Sequence, residues 1–231
     1  MIIQYLNSII QGLESLAFDS SCLICNDPSS KFCDFCRSEW SSNPRLLSGE
    51  DFPISSSITY GETASAIVLS AKENGLVFAR DLVAQELKVS IKALLISQSI
   101  VAPRVILVPI PSSRSSRVRR GGDFISKLAQ MISRDLNMET SNTRFLPRSI
   151  LSLRRKVKDQ SGLSATERQQ NLAGAFAVTE AFDSQIPIIV IDDVITTGNT
   201  LREAIRALKE RNLTVLGAAT ACASRRRLPI R

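Results

Sequence analysis

Two adjacent carboxylates, Asp192 and Asp193, stand shortly before a run of hydroxyls around one glycine, Thr196-Thr197-Gly198-Asn199-Thr200. An ionised carboxylate only accepts hydrogen bonds, so the pair suits a diol or a metal-loaded group and repels a bare phosphate. The threonine loop has the opposite preference. Gly198 lets the backbone turn sharply or approach a ligand closely. The hydroxyls lie beside several backbone N–H groups, and a helix start just beyond adds unpaired N–H groups and a positive dipole end. A ligand with a phosphate at one end and a ribose diol beside it satisfies both halves. The plainer reading is a strand that ends in two aspartates, followed by a capping box between Thr200 and Glu203.

A second set of residues has metal-ligand spacing. Cys22-Leu-Ile-Cys25 and Cys33-Asp-Phe-Cys36 are two Cys-x-x-Cys knuckles separated by seven residues. Four thiolates this close can surround one zinc ion tetrahedrally, as a closed structural site with no open position. The alternatives are disulfides or a redox pair. Nothing points to an oxidising compartment, and a thioredoxin-like motif needs one pair beside a βαβ unit. Cys222 lies in an apolar run and reads as a buried free thiol.

Basic residues form a third set. Pro111 to Gly122 holds Arg114, Arg117, Arg119 and Arg120 and no acid, and ends in Gly121-Gly122 at a helix start. Such a loop is either a second anion site or a solvated stretch that meets nucleic-acid backbone without specificity. Arg154, Arg155, Lys156 and Lys158 open a stretch to Asn171 with little apolar periodicity, which reads as a lid over a site or as an ordinary surface loop. Lys72 is a helix-end charge or a ligand contact.

These groups need elements to hold them. Ile188 to Ile191 are apolar at every position, which suits a strand buried on both faces of a parallel sheet. Leu201, Ala204, Ile205 and Leu208 follow at helical spacing. In an open α/β sheet, ligands sit at the carboxyl ends of the strands, where Asp192, Asp193 and the loop fall. Val105 to Ile110 reads as another buried strand with Pro109 at its end. Ile125, Leu128, Ala129 and Ile132 mark a helix, and Leu76 to Ile96 another. Phe176 to Val178 and Leu213 to Ala221 read as strands. Met1 to Ala17 has one apolar helical face, contains Glu14 and lacks a basic leader, so it reads as a packed helix and not as a signal peptide. Arg37 to Ser57, rich in Ser and Pro, reads as a linker with a short strand inside it. Arg225 to Arg227 form a basic tail.

The 231 residues suffice for one medium α/β domain and a small module. With 44% hydrophobic residues a true core is expected. The net charge of +7 favours anionic partners. The chain has no histidine, which removes His-based triads, His metal ligands and His general bases. No apolar run reaches the ~18 residues of a spanning helix.

Four apolar residues, two acids, two further residues and Thr-Thr-Gly-x-Thr resemble the phosphoribosyl-pyrophosphate (PRPP) signature of type I phosphoribosyltransferases. By that resemblance Asp192 and Asp193 hold the ribose hydroxyls, and Thr196, Thr197, Gly198, Asn199 and Thr200 wrap the 5′-phosphate. The basic loop then becomes a pyrophosphate site, with Lys72, Arg114, Arg120, Gly121 and the lid residues Arg154 and Arg155 around the leaving group. Nearly the full length is similar to the ComF family. The resemblance rests on the cysteines, the PRPP string, Val-Pro-Ile-Pro at 108–111, Arg120-Gly121, a lysine at position 72, and Gln160…Leu163-Ser164…Glu167-Arg168…Asn171. Where that family tends to have Phe-Asn-Gln after Arg-Gly, this chain has Gly122-Asp123-Phe124.

The resemblance implies a type I phosphoribosyltransferase fold (α/β, with a central mainly parallel sheet) over 58–231, preceded by an N-terminal helix, a four-cysteine zinc module and a linker over 1–57. It implies structural Zn2+ held by Cys22, Cys25, Cys33 and Cys36, and Mg2+ with PRPP. The implied setting is natural competence: cytoplasmic handling of transforming single-stranded DNA beside the uptake helicase, without membrane insertion. Three functions stay open: a phosphoribosyltransferase, a non-catalytic module for PRPP or single-stranded DNA, and a nucleobase-salvage enzyme. No stretch identifies an acceptor base.

Overall fold

The structure, a computed structural model, describes residues 21–47, 51–154, 172–180 and 184–224. The helix expected over 1–17, the stretch from Arg155 to Asn171 and the basic tail lie outside the described residues. The chain divides into two units, one ending at Ser41 and one beginning at Ser42.

In the smaller unit the two knuckles are joined by a turn. Asn26 N–H donates back to the Cys22 carbonyl, and Leu23 N–H to that of Lys31. The second knuckle opens a short helix, α1 (Asp34–Glu39), which Cys33 caps through its sulfur.

The larger unit is a six-stranded sheet with helices on both faces. In chain order it contains β1 (Arg45–Leu47), β2 (Ile54–Tyr60), α2 (Glu62–Lys72), α3 (Val77–Ser97), β3 (Arg104–Pro109), α4 (Arg114–Arg120), α5 (Phe124–Glu139), β4 (Arg144–Pro147), β5 (Leu151–Leu153), β6 (Phe176–Val178), β7 (Ile188–Ile195), α6 (Asn199–Lys209) and β8 (Val215–Ser224). The strand order is β1-β2-β8-β7-β3-β4, and β5 pairs with β6 in a separate ribbon. All main-sheet pairings are parallel except β1 with β2. The fold is therefore α/β with a mainly parallel central sheet, as the apolar runs at 105–110 and 188–191 predict.

Part of the stretch expected as a linker belongs to this sheet. It supplies β1 and most of β2, whose Ser55, Ser56 and Ser57 are all buried. Small side chains let α3 pack close over β2 and the alanine-rich β8. Ser57 Oγ donates to the Glu86 carbonyl at 2.9 Å and lies 2.7 Å from Ser90 Oγ. Ser90 Oγ donates to the Thr220 carbonyl at 2.8 Å. Gly217 belongs to the same close packing. A Cβ there would stand 2.3 Å from the Pro53 carbonyl oxygen, which accepts the Ala218 N–H.

Alternate residues of β3 and β7 face opposite layers. Ile106, Val108, Ile188 and Val190 share a core with Leu201, Ala204, Ile205 and Leu208 of α6 and with Leu151 and Phe176 of the β5/β6 ribbon. The helices α2, α3 and α5 occupy the other face. Lys88 and Lys92 of α3 both reach Glu139 of α5. At the far edge, Asn137 of α5 accepts the Phe145 N–H of β4 at 2.7 Å and donates to the Phe145 carbonyl at 3.0 Å.

This topology defines the ligand end. From β7 the chain steps through α6 to β8, and from β3 through α5 to β4 in the opposite direction. The switch point lies between β3 and β7, where the crevice outside the carboxyl ends receives a ligand.

Candidate functional site

The strand β7 continues past the aspartates to Ile195, so Asp192 and Asp193 are strand residues near its carboxyl end. Asp193 is buried and Asp192 is half-buried. Each is tied locally: Asp193 N–H donates to Asp192 Oδ1 at 2.9 Å, and Val194 N–H donates to Asp193 Oδ1 at 3.0 Å. Lys72, the last residue of α2, donates from Nζ to Asp193 Oδ2 at 2.7 Å. The lysine expected as either a solvated charge or a ligand contact is thus paired with the candidate diol-binding carboxylates. Burial opposes its charge, but the charges of Asp193 and Asp192 outweigh this and raise its pKa. Burial, then the neighbouring Asp193 charge, pushes the Asp192 carboxyl well above 3.8, against the pull of Lys72.

Gly198 stands at φ 77°, a left-handed conformation suited to glycine, and leads directly into α6. No side chain caps this helix, and Asn199 Oδ1 instead accepts from Arg202 at 2.7 Å. Its first turn is therefore built from backbone N–H groups, with the hydroxyls of Thr196, Thr197 and Thr200 on the same loop, as anion binding requires. The capping box between Thr200 and Glu203 does not form. Glu203 is buried and accepts the Phe176 N–H of β6 at 3.3 Å and two bonds from Arg206.

Across the crevice, the stretch expected as a basic loop contains the short helix α4. Ser113 caps it by accepting the Ser116 N–H, and Gly121 ends it at φ 63°. The acid at 123 has a structural use. Asp123 caps α5 by accepting the Ser126 N–H at 3.3 Å, and its other oxygen accepts the Ser112 N–H at 3.0 Å. That carboxylate holds the two ends of the Arg-rich segment together. Arg120 donates from Nε and Nη2 to Glu73 Oε1 at 2.9 and 2.5 Å, and Arg119 lies 3.2 Å from Glu73 Oε2.

A cavity of about 620 Å3 is lined by Asp192, Asp193, Thr200, Lys72, Glu73 and Arg120, among others. Arg114 and Arg154 line an adjoining cavity of about 1040 Å3 with Arg117, Arg119 and Leu153. Arg119, Leu153, Ser112, Ser113 and Ser115 belong to both linings. The structure thus gathers Lys72, Arg120, Asp192, Asp193 and Thr200 around one space and places Arg114 and Arg154 in the next. Arg155 lies outside the described residues. Glu73 is a site-building residue that the motif reading missed, with only its adjacency to Lys72 as a signal; Asp123 and Glu203 stood out in the sequence, but as a departure from the family pattern and as a capping-box partner, not in the roles they have here.

In the smaller unit the sulfurs of Cys22, Cys25, Cys33 and Cys36 all lie within 4.8 Å of one another, with Cys25 and Cys33 at 3.5 Å. Tetrahedral coordination at about 2.3 Å per bond would set sulfurs about 3.8 Å apart, so the cluster fits one such ion. Burial raises the pKa of Cys22, but backbone hydrogen bonds at Cys33, Cys25 and Ile24 bring it down to about 6. Burial and the neighbouring sulfurs push Cys36 up.

Residues 123–229 match the family model for the phosphoribosyl transferase domain. A comparison with curated proteins gives no match. Among solved structures, the chain is similar to adenine phosphoribosyltransferase from Saccharomyces cerevisiae, complexed with an imino-altritol bisphosphate and adenine, at 19% identity and TM-score 0.33 over 61% of this chain and 68% of that one. It is also similar to hypoxanthine phosphoribosyltransferase from Staphylococcus aureus, at 17% identity and TM-score 0.34 over 64% of this chain and 68% of that one. From the first helix after the Arg-rich segment onward, this chain carries a phosphoribosyltransferase-type domain.

Proposed function

We propose that the larger unit binds PRPP with Mg2+ in the crevice between β3 and β7, and that the protein is a ComF-type phosphoribosyltransferase serving natural competence. The observation that carries the reading is the arrangement around one cavity: two strand-end carboxylates, an uncapped helix start behind Gly198, and Lys72 and Arg120 opposite. Asp192 and Asp193 accept the ribose hydroxyls. The loop from Thr196 to Thr200 donates to the 5′-phosphate. Arg120 and Lys72 neutralise the pyrophosphate as its bond to the anomeric carbon breaks. Mg2+ would add charge on the pyrophosphate oxygens and suits a site with few carboxylates. Positioning and electrostatics supply the catalysis, which a chain without histidine can provide. Zinc held by the four cysteines completes a structural module, and cytoplasmic transforming DNA beside the uptake helicase is the setting.

PRPP with Mg2+ should raise the melting temperature of the wild-type protein. The Asp192→Asn/Asp193→Asn variant, measured against its own unliganded melting temperature, should show no such shift; an undiminished shift assigns PRPP elsewhere.

A second reading, a binding module without turnover, is favoured by Arg114, Arg117 and Arg154. They make no ion pair among the described residues, and they line the adjoining cavity. Such arginines suit a single-stranded phosphate backbone. Pyrophosphate release with PRPP and one of a panel of nucleobases favours the enzyme. Binding of oligonucleotide that weakens steeply with salt, with no release, favours the module.

A further inference from the structure

Lys72 and Glu73 are consecutive at the end of α2, yet in the free protein their charges pair with groups on opposite sides of the site. Lys72 meets Asp193 on β7. Glu73 meets Arg119 and Arg120 on α4, from 46 to 47 residues away. The free site is thus closed on itself, each half holding a counter-charge that is not the ligand. The two halves differ in what a ligand must do. A ribose diol hydrogen-bonds to carboxylates without taking Lys72 away from them. A pyrophosphate needs the guanidinium groups that Glu73 occupies, and Glu73 repels it at short range.

We propose that Glu73 is an internal counter-anion of the pyrophosphate subsite, a carboxylate that holds Arg119 and Arg120 in the free protein and must release them when a diphosphate-bearing ligand arrives. The inference rests on the PRPP reading above. Arg120 is mostly covered, with its side chain 12% exposed, and Glu73 is 30% exposed. The arginine is therefore fixed by the scaffold while the carboxylate can swing to solvent. A binding-competent state in which the carboxylate has left is only part of the free population, and apparent affinity falls by that fraction. The hydrogen bond from Arg120 holds the Glu73 carboxyl below its ordinary value of 4.5, so the competing charge is present throughout neutral pH.

Glu73→Gln keeps the size of the side chain and removes its charge at a surface-accessible position. Titration calorimetry with Mg2+ would compare inorganic pyrophosphate, PRPP and ribose 5-phosphate on wild type and variant. Pyrophosphate and PRPP should bind the variant about two- to fivefold more tightly, the upper part of the range of a partly exposed ion pair. Ribose 5-phosphate, which lacks the diphosphate, should bind both proteins alike. Weaker pyrophosphate binding by the variant would mean that Glu73 orients the arginines for the ligand, and it overturns the proposal. Unchanged pyrophosphate binding overturns it too. In both of those cases ribose 5-phosphate binding persists and the PRPP reading stands. If wild type binds none of the three ligands, the PRPP reading falls and this inference falls with it.

Discussion

At the scale of single residues, Asp192 carries the clearest tension between folding and function. Its carboxyl is pushed up by burial and by Asp193, so the folded state holds its proton more tightly than the unfolded chain does. Stability from this group is fully present below 3.8, and it declines as pH rises from there through the raised folded value. Asp192→Asn, which keeps the shape and cannot ionise, is expected to melt higher than wild type at pH 8, with the difference shrinking toward pH 4. A pH-independent difference would remove the electrostatic explanation. Lys72 has the same sign in a higher pH window. Its raised pKa contributes stability below 10.5 that is lost as pH rises through the folded value. The roles proposed for the aspartates were legible in the sequence because the motif is contiguous, and backbone geometry within one strand and one loop settles where its members go. Glu73 and Glu203 were not, since the partners that define them lie 47 and 27 residues away. Nothing local marks a carboxylate that will meet a distant arginine or amide.

At the scale of elements, the ribbon of β5 and β6 stands over the site because α6 holds it. Glu203 accepts the Phe176 N–H from inside the core, so the helix whose start forms the candidate phosphate loop also fixes a wall of the cavity. Glu203→Ala leaves that buried amide without its acceptor and Arg206 with Glu210 alone, and a loss of about 1–3 kcal/mol in unfolding free energy is expected. Glu203→Gln, which retains one acceptor, should lose less. Denaturant titration distinguishes the two, and equal losses would attribute the effect to packing. The strands β3 and β7 were readable from continuous apolar runs and α3 from its periodicity. The strand β2 was not readable, because Ser55-Ser56-Ser57 looks polar by residue type. Its burial depends on small size beneath α3 and beside β8, a property of the partner surfaces. The helix α4 was hidden for a related reason: among arginines and serines there is no apolar period to read.

At the scale of the whole molecule, four cysteine sulfurs converge in a unit whose described part has few other buried apolar groups. A unit this small commonly relies on a metal for its stability. Purified protein should contain about one equivalent of zinc, measured by elemental analysis. Chelation should remove that metal together with the ordered structure of the knuckles, and a metal-free sample with those resonances still dispersed would refute the assignment.

The side chain of Asn137 has a consequence at this same scale. It imitates a neighbouring strand by giving Phe145 one donor and one acceptor, so β4, the last strand of the sheet, has part of its outer ladder already filled from within. The strand at the opposite end, β1, has only three residues. Exposed edges are the usual template for runaway pairing, and this sheet offers a foreign strand little to zip onto at either margin. Among the described residues, the valence of the main sheet is nearly spent, and strand addition at its two margins is disfavoured.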